Sequence, residues 1–127
     1  MARHVISGPG VPPSSLPFSP LVEANGFVFL AGQVGGVPGG RGAVPGGIEA
    51  ETRQMLENVG VLLRAAGLDY ADVVQCTVYL LDFAEFSRMN AVYREFFPTD
   101  PPTRTTVGVS GLAVDYRIEI TCVAARR

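Results

Sequence analysis

Two charged side chains near the end of the chain carry its strongest chemical signal. Arg104 follows Pro101-Pro102-Thr103 and is succeeded by Thr105, Thr106, Val107 and Gly108, while Glu119 stands between Ile118 and Ile120. Both interrupt stretches that read as buried β structure, on two strand-like segments that neighbour one another in sequence. A charge enters an apolar setting only when it is paired, hydrogen-bonded or meets a ligand, because desolvating it is otherwise costly. Two readings follow, a structural Arg104–Glu119 ion pair or a ligand site. The remaining inventory narrows the chemistry. The single histidine, His4, lies near the chain end, so no Ser-His-Asp or Cys-His arrangement can be assembled around it. The usual zinc sites draw on several Cys and His ligands that this chain lacks. Proton transfer is left to a carboxylate, a tyrosine or bound water, which singles out Glu119.

The elements that must hold these residues are set by a chain of 127 residues, enough for one domain over residues 1–127 with a core of its own. Ten basic residues against twelve acidic ones give a formal charge of −2, and the only basic run is Arg126-Arg127. That balance argues against a nucleic-acid face, which needs a concentrated positive patch. Apolar residues make up 47% of the chain but are scattered among Gly and Pro, with no run long enough to cross a bilayer. A soluble protein is expected. Met1-Ala2-Arg3-His4-Val5 has neither the apolar core nor the cleavage site of a secretory leader, so the expected compartment is the cytoplasm. Cys76 and Cys122 form no C-x-x-C spacing and read as small buried hydrophobes, with no disulfide expected.

Residues 7–20 carry five prolines, which implies an extended lead-in rather than a regular strand. Phe27 to Ala31 reads as a strand buried on both faces and stopped by Gly32. The glycine-rich stretch Gly35 to Gly47 invites a phosphate-loop reading. It has no G-K-[ST] ending, however, and Pro45 falls where a third glycine of G-x-G-x-x-G would stand, so a flexible hairpin or surface loop is the better account. Met55, Val59, Leu62, Leu63 and Ala66 recur at helical spacing in a helix from Ile48 to Ala66, with Gly67 as its C-terminal cap and Glu49 and Glu51 in the first turn, facing the helix dipole. Val73 to Leu81 alternates so that Val74, Cys76, Val78 and Leu80 share an apolar face. A second helix runs from about Phe83 to Phe97 with Phe86, Met89, Tyr93 and Phe96-Phe97 as its inner stripe, closed by Pro98. Two last strands, about Arg104 to Val109 and Tyr116 to Ala125, are separated by a turn at Ser110-Gly111. The sum is an α+β domain whose two helices cover one face of a sheet. Tyr79, Val107 and Val123 fall on the other face, which predicts a homo-oligomer.

With these residues in place, the chain resembles the RidA/YjgF family, the reactive intermediate deaminases once grouped with supposed translation inhibitors. The resemblance spans about Phe18 to Arg127. It rests on Ala31-Gly32-Gln33, the segment Thr52 to Val59, Ala65-Ala66-Gly67-Leu68, Asp72-Val73-Val74, Met89-Asn90 with Tyr93 and Phe96-Phe97, and Pro102-Thr103-Arg104 through Ile118-Glu119-Ile120. It implies a chorismate-mutase-like α+β fold, a mixed β-sheet with two helices on one face, and a homotrimeric barrel with three clefts between subunits. Each cleft in similar proteins hydrolyses enamines and imines released by pyridoxal-phosphate enzymes to 2-keto acids and ammonia, with no metal or organic cofactor. Carried over residue by residue, Arg104 holds the substrate carboxylate through two parallel hydrogen bonds. Glu119 takes a proton from the water that attacks the imine carbon of a substrate such as 2-iminopropanoate, the tautomer of 2-aminoacrylate. Gly32 and Asn90 match positions lining or supporting the cleft. Each also has a plain alternative, Gly32 as a strand terminator and Asn90 as a helix-surface residue.

The chain departs from the family at three cleft positions. Many members have a tyrosine where this chain has Phe18, a serine where it has Ala31 and a cysteine where it has Thr106. Thr106 keeps a hydroxyl, whereas Phe18 and Ala31 offer apolar contact only, so the cleft is expected to be less polar. The absent cysteine removes a thiol open to oxidation or acylation but no nucleophile, if water attacks. Thr105 departs mildly from the usual small or apolar residue. A non-catalytic binding protein for small carboxylates or 2-keto acids is the alternative function. An RNA-cleaving translation inhibitor fits less well with the acidic charge and the lone histidine.

Overall fold

The segment Ile118–Ala125 alternates strictly, and the computed structural model, which describes residues 2–127, makes it the central strand of a mixed sheet. Ile118, Ile120, Cys122 and Ala124 are buried, while Glu119, Thr121 and Val123 on the opposite side are only half covered. The strands are β1 (His4–Val5), β2 (Leu21–Ala24), β3 (Phe27–Leu30), β4 (Gln33–Val34), β5 (Val73–Leu80), β6 (Thr103–Gly108) and β7 (Ile118–Ala125). They run in the order β1-β2-β3-β7-β5-β6, with β4 also on β7. All pairs are antiparallel except β5–β6, which is parallel and therefore needs a crossover.

That crossover contains α2 (Phe86–Phe96), entered through a single 3-10 turn, Phe83–Glu85, in which Asp82 accepts the Ala84 N–H at 3.0 Å. Pro98 follows its end, as expected. The longer helix, α1 (Gly47–Ala65), ends where Gly67 takes a left-handed φ of 77°. There the Leu68 N–H reaches the Leu63 carbonyl at 2.8 Å and the Gly67 N–H reaches Arg64 at 3.0 Å, the paired bonds of a Schellman stop. Met55, Leu56, Val59, Leu63 and Met89 are fully buried between the helices and the sheet. The glycine stretch is a hairpin, with Val37 and Val44 N–H groups bonded across it to Gly42 and Gly35. No helix among the described residues is long and apolar enough to cross a membrane.

Three expectations need correction. Val74 does not share the inner face with Cys76. An irregularity in the β5–β7 register between Val73 and Gln75 turns Val73 inward, at 6% exposure, and leaves Val74 outside at 42%. Glu51 is no solvated partner of the helix dipole. It is 1% exposed, and its Oε2 accepts the Arg117 N–H at 2.6 Å, anchoring the start of β7 to α1. The strand from Phe27 is not buried on both faces, because Val28 and Leu30 face the core while Phe27 and Phe29 stand exposed on the side away from the helices. In the sheet β5 separates the strands that carry Arg104 and Glu119. The face without helices carries Phe27, Phe29, Tyr79, Val107 and Val123, a surface that a lone chain leaves open.

Candidate active site

Register fixes where Arg104 points. It pairs with Cys76 of β5, which in turn pairs with Cys122 of β7, so the three side chains lie in one row on the helix side. There α2 meets them. Phe86 and Tyr93, two turns apart on one flank of the helix, place their rings under the guanidinium, with Cζ of Arg104 4.7 Å from the Tyr93 centroid and 5.6 Å from that of Phe86. Among the described residues Arg104 forms no salt bridge. Its charge is half-buried and held by aromatic faces, and its planar fork of donors is left for an external anion. Thr106 pairs with Val78 and stands on the same side. Asn90 lies between Phe86 and Tyr93 on α2, and its Oδ1 is buried without a hydrogen-bond partner.

Beneath the arginine, Cys76 Sγ and Cys122 Sγ are 3.6 Å apart, both buried and both free. Contact with the Cys122 thiol lowers the Cys76 pKa against the opposing effect of burial, with Tyr93 and Arg104 adding smaller contributions. The Cys122 thiol is pushed up, first by Cys76 and then by burial. Burial likewise raises the Tyr93 hydroxyl, so of the three groups under the guanidinium Cys76 is the one most readily ionised.

Glu119 is positioned by a different device. β3 pairs Phe29 with Val123, whereas β4 pairs Gln33 with Ile120, so one extra residue is accommodated opposite β7 between Leu30 and Gln33. Gly32 lies in that bulge, and the Glu119 carboxylate lies against its backbone. A Cβ at Gly32 would overlap Oε2 and stand 3.1 Å from the carboxyl carbon. The Ala31 N–H donates to the Pro20 carbonyl at 2.9 Å, which ties the bulge to the segment carrying Phe18. Phe18, Ala31, Gly32 and Glu119 consequently line one cleft of about 480 Å3, together with Val22 and Phe29. Glu119 is half-buried and, among the described residues, forms no salt bridge, and desolvation raises its pKa above the ordinary carboxylate value, the direction that suits a general base.

The seven sequence-derived positions thus fall into two groups. Phe18, Ala31, Gly32 and Glu119 share the cleft on the helix-free face, and Arg104, Thr106 and Asn90 gather on the helix side of the far edge. The internal Arg104–Glu119 ion pair is absent. A larger cleft of about 730 Å3 lies between α1 and the glycine hairpin and shares only Gly32 with these positions. Among the described residues no three His, Cys, Asp or Glu side chains cluster as metal ligands. The aromatic seat of Arg104 escaped the sequence reading, where Phe86 and Tyr93 looked like ordinary inner-stripe residues. Their spacing of seven, bracketing Asn90, was the available signal.

The family profile described as Endoribonuclease L-PSP matches residues 10–126. Reactive Intermediate Deaminase A, chloroplastic, of Arabidopsis thaliana is 38% identical over 96% of this chain, which spans 65% of the plant protein's length. The 2-iminobutanoate/2-iminopropanoate deaminase of Capra hircus is 36% identical over 99% of this chain and 92% of its own. Among solved structures, E. coli TdcF with bound serine superposes with a TM-score of 0.87 at 32% identity, covering 98% of this chain and 99% of that one. With a profile match over residues 10–126, relatives above 30% identity and a solved structure that superposes over nearly the whole chain, the chain belongs to the RidA/YjgF family.

Proposed function

We propose that this protein is an enamine/imine deaminase that hydrolyses reactive 2-imino acids to 2-keto acids and ammonia, and that it works as a homotrimer with its sites between subunits. The observation that carries the reading is the pair of incomplete half-sites: a seated arginine without a carboxylate and a glutamate without a cation, on opposite faces of one sheet. One copy's Arg104 and the next copy's Glu119 complete each other when the β6 edge of one sheet meets the helix-free face of the next, and such packing also covers Phe27, Phe29 and Val107.

In such a cleft Arg104 binds the carboxylate of the imino acid through two parallel hydrogen bonds. Glu119 takes a proton from a water whose oxygen bonds to the imine carbon, and returns that proton to the nitrogen. The carbinolamine then breaks its C–N bond, and its hydroxyl proton passes to the departing ammonia as the keto group forms. Fixing water and imine together supplies much of the acceleration. The names of the Arabidopsis and Capra hircus relatives support the reaction class.

The test is keto-acid release from imines generated in place by an amino-acid oxidase, with semicarbazide trapping the free imine. Acceleration by wild type and none by Arg104→Ala is the expected result. A second reading, a carboxylate-binding protein, draws on the apolar Phe18 and Ala31 in the cleft and on the bound serine of the E. coli relative. Calorimetric binding of 2-keto acids with no hydrolysis of any imine would favour it. The formal charge of −2 and the lone His4 give RNA cleavage little support.

A further inference from the structure

Two thiols that the proposed reaction leaves unused lie under its arginine. Cys76 and Cys122 are directly opposed on the antiparallel pair β5–β7, both on the helix side, at 1% and 2% exposure. Opposed residues of such a pair have Cα atoms about 4.5–5.5 Å apart, inside the roughly 4.4–6.8 Å that a disulfide spans, so a bond between them needs no backbone movement. Their Sγ atoms are already 3.6 Å apart, and both are free. Both belong to the core of a single chain, so a neighbouring copy on the helix-free face leaves their geometry unchanged. Contact with the Cys122 thiol, aided by Tyr93 and Arg104, holds the Cys76 pKa below the ordinary thiol value, which makes Cys76 the attacking sulfur. The Tyr93 hydroxyl beside it is buried with no hydrogen-bond partner among the described residues, and can donate to an oxygen that Cys76 gains.

We infer that Cys76 and Cys122 form an oxidation site for small hydroperoxides, which joins them in a reversible disulfide and loosens the hold of Arg104 on carboxylates. The second half rests on the carboxylate-binding role proposed for Arg104, not on the hydrolysis. Arg104 is half-buried, and a cleft that admits a 2-imino acid to it admits the smaller peroxide as well. Cys76 sulfur attacks a peroxide oxygen; the S–O bond forms, the O–O bond breaks, and the departing oxygen leaves as water with the thiol proton. Cys122 sulfur then attacks the sulfenic sulfur; the S–S bond forms, the S–O bond breaks, and a second water carries off the Cys122 proton. Two electrons pass from the two sulfurs to the peroxide. Drawing the sulfurs from 3.6 Å to the roughly 2 Å of a disulfide pulls Cys76 toward Cys122 and alters its packing against Tyr93, whose ring seats the guanidinium at 4.7 Å.

The experiment treats the purified protein with hydrogen peroxide, then unfolds and alkylates it and reads intact mass and peptide map, for wild type, Cys76→Ala and Cys122→Ala. The expected wild-type product has lost two hydrogens and both alkylatable thiols, yields a peptide pair linked through Cys76 and Cys122, and is restored by dithiothreitol. Cys122→Ala should instead gain one oxygen at Cys76, trapped by dimedone, while Cys76→Ala stays unmodified at the same dose. The affinity for a 2-keto acid, measured by calorimetry, should weaken about tenfold in the disulfide form and return on reduction. Two alkylatable thiols remaining in treated wild type overturn the inference, a result that needs neither variant to fold. A disulfide that leaves the affinity unchanged overturns its control of Arg104. Reduced protein that binds 2-keto acids but turns over no imine overturns the deaminase reading and not this one, because mass and affinity are read without catalysis.

Discussion

Arg104 and Glu119 stand on opposite faces of one sheet, with β5 between their strands. The row Cys122–Cys76–Arg104 faces the helices, and the row Glu119–Tyr79–Val107 faces away from them. A reaction that uses both therefore draws them from different copies of the chain, and complementation tests this directly. Arg104→Ala and Glu119→Gln should each lose about two orders of magnitude in kcat/KM. When the two inactive variants are unfolded, mixed in equal amounts and refolded together, about one site in four receives an intact arginine from one chain and an intact glutamate from another. Recovery near a quarter of wild-type activity is the expected outcome. Mixtures as inactive as their components would place both groups in one subunit or remove one of them from the reaction.

Gly32→Ala tests the close approach of Glu119. The added Cβ would occupy the space of Oε2, so the carboxylate must swing away from the bulge. Activity should fall about a hundredfold, as for a catalytic group misplaced by an ångström, while the melting temperature changes little because Gly32 is exposed. Unimpaired turnover would show that the position of the carboxylate against Gly32 is irrelevant to catalysis.

The aromatic seat of Arg104 gives a graded series. Tyr93→Phe keeps the ring 4.7 Å below the guanidinium and should retain most activity, whereas Tyr93→Leu removes the π face and should raise KM for the carboxylate substrate about tenfold. Equal effects of the two variants, measured with melting curves in parallel, would mean that the hydroxyl or general packing matters and not the ring.

Glu51 predicts a pH signature in stability. Its burial raises the carboxyl pKa, although the Arg117 and Ile118 N–H groups pull the other way. The folded chain then holds this proton more tightly than the unfolded chain, so stability is lost as pH rises from the unfolded toward the raised folded value. Glu51→Gln has no proton to lose there. Its melting temperature relative to wild type should climb across that window and stay level below it, and a difference independent of pH would contradict the raised value.

Periodicity revealed α1, α2, β5 and β7 because each is long enough for its buried residues to repeat, as Met55, Val59 and Leu63 do on α1. β1, β2 and β4 span two to four residues, too short for alternation to stand out, and exist through pairing with distant partners such as Leu30 and Ile120. Val74 was misplaced because a bulge shifts parity without leaving a mark in composition. At the site, Arg104 and Glu119 were conspicuous as charges within apolar runs. The faces they occupy depend on register with Cys76 and Tyr79, a relation between segments that neither segment encodes alone. The seat formed by Phe86 and Tyr93 was hidden for a similar reason, since a ring under a cation and a ring in a core have the same helical spacing.

The division of charges between the two faces of the sheet makes dilution a control on chemistry. In the proposed mechanism a solitary chain holds Arg104 and Glu119 where they cannot meet, so specific activity should collapse at concentrations where copies separate, before any strand unfolds. Gene dosage acts through the same arithmetic. Chains lacking Arg104 alone would remove sites only in proportion to their share, whereas a chain lacking both Arg104 and Glu119 would spoil two sites, and its effect on the cell would exceed the share of protein that its allele encodes.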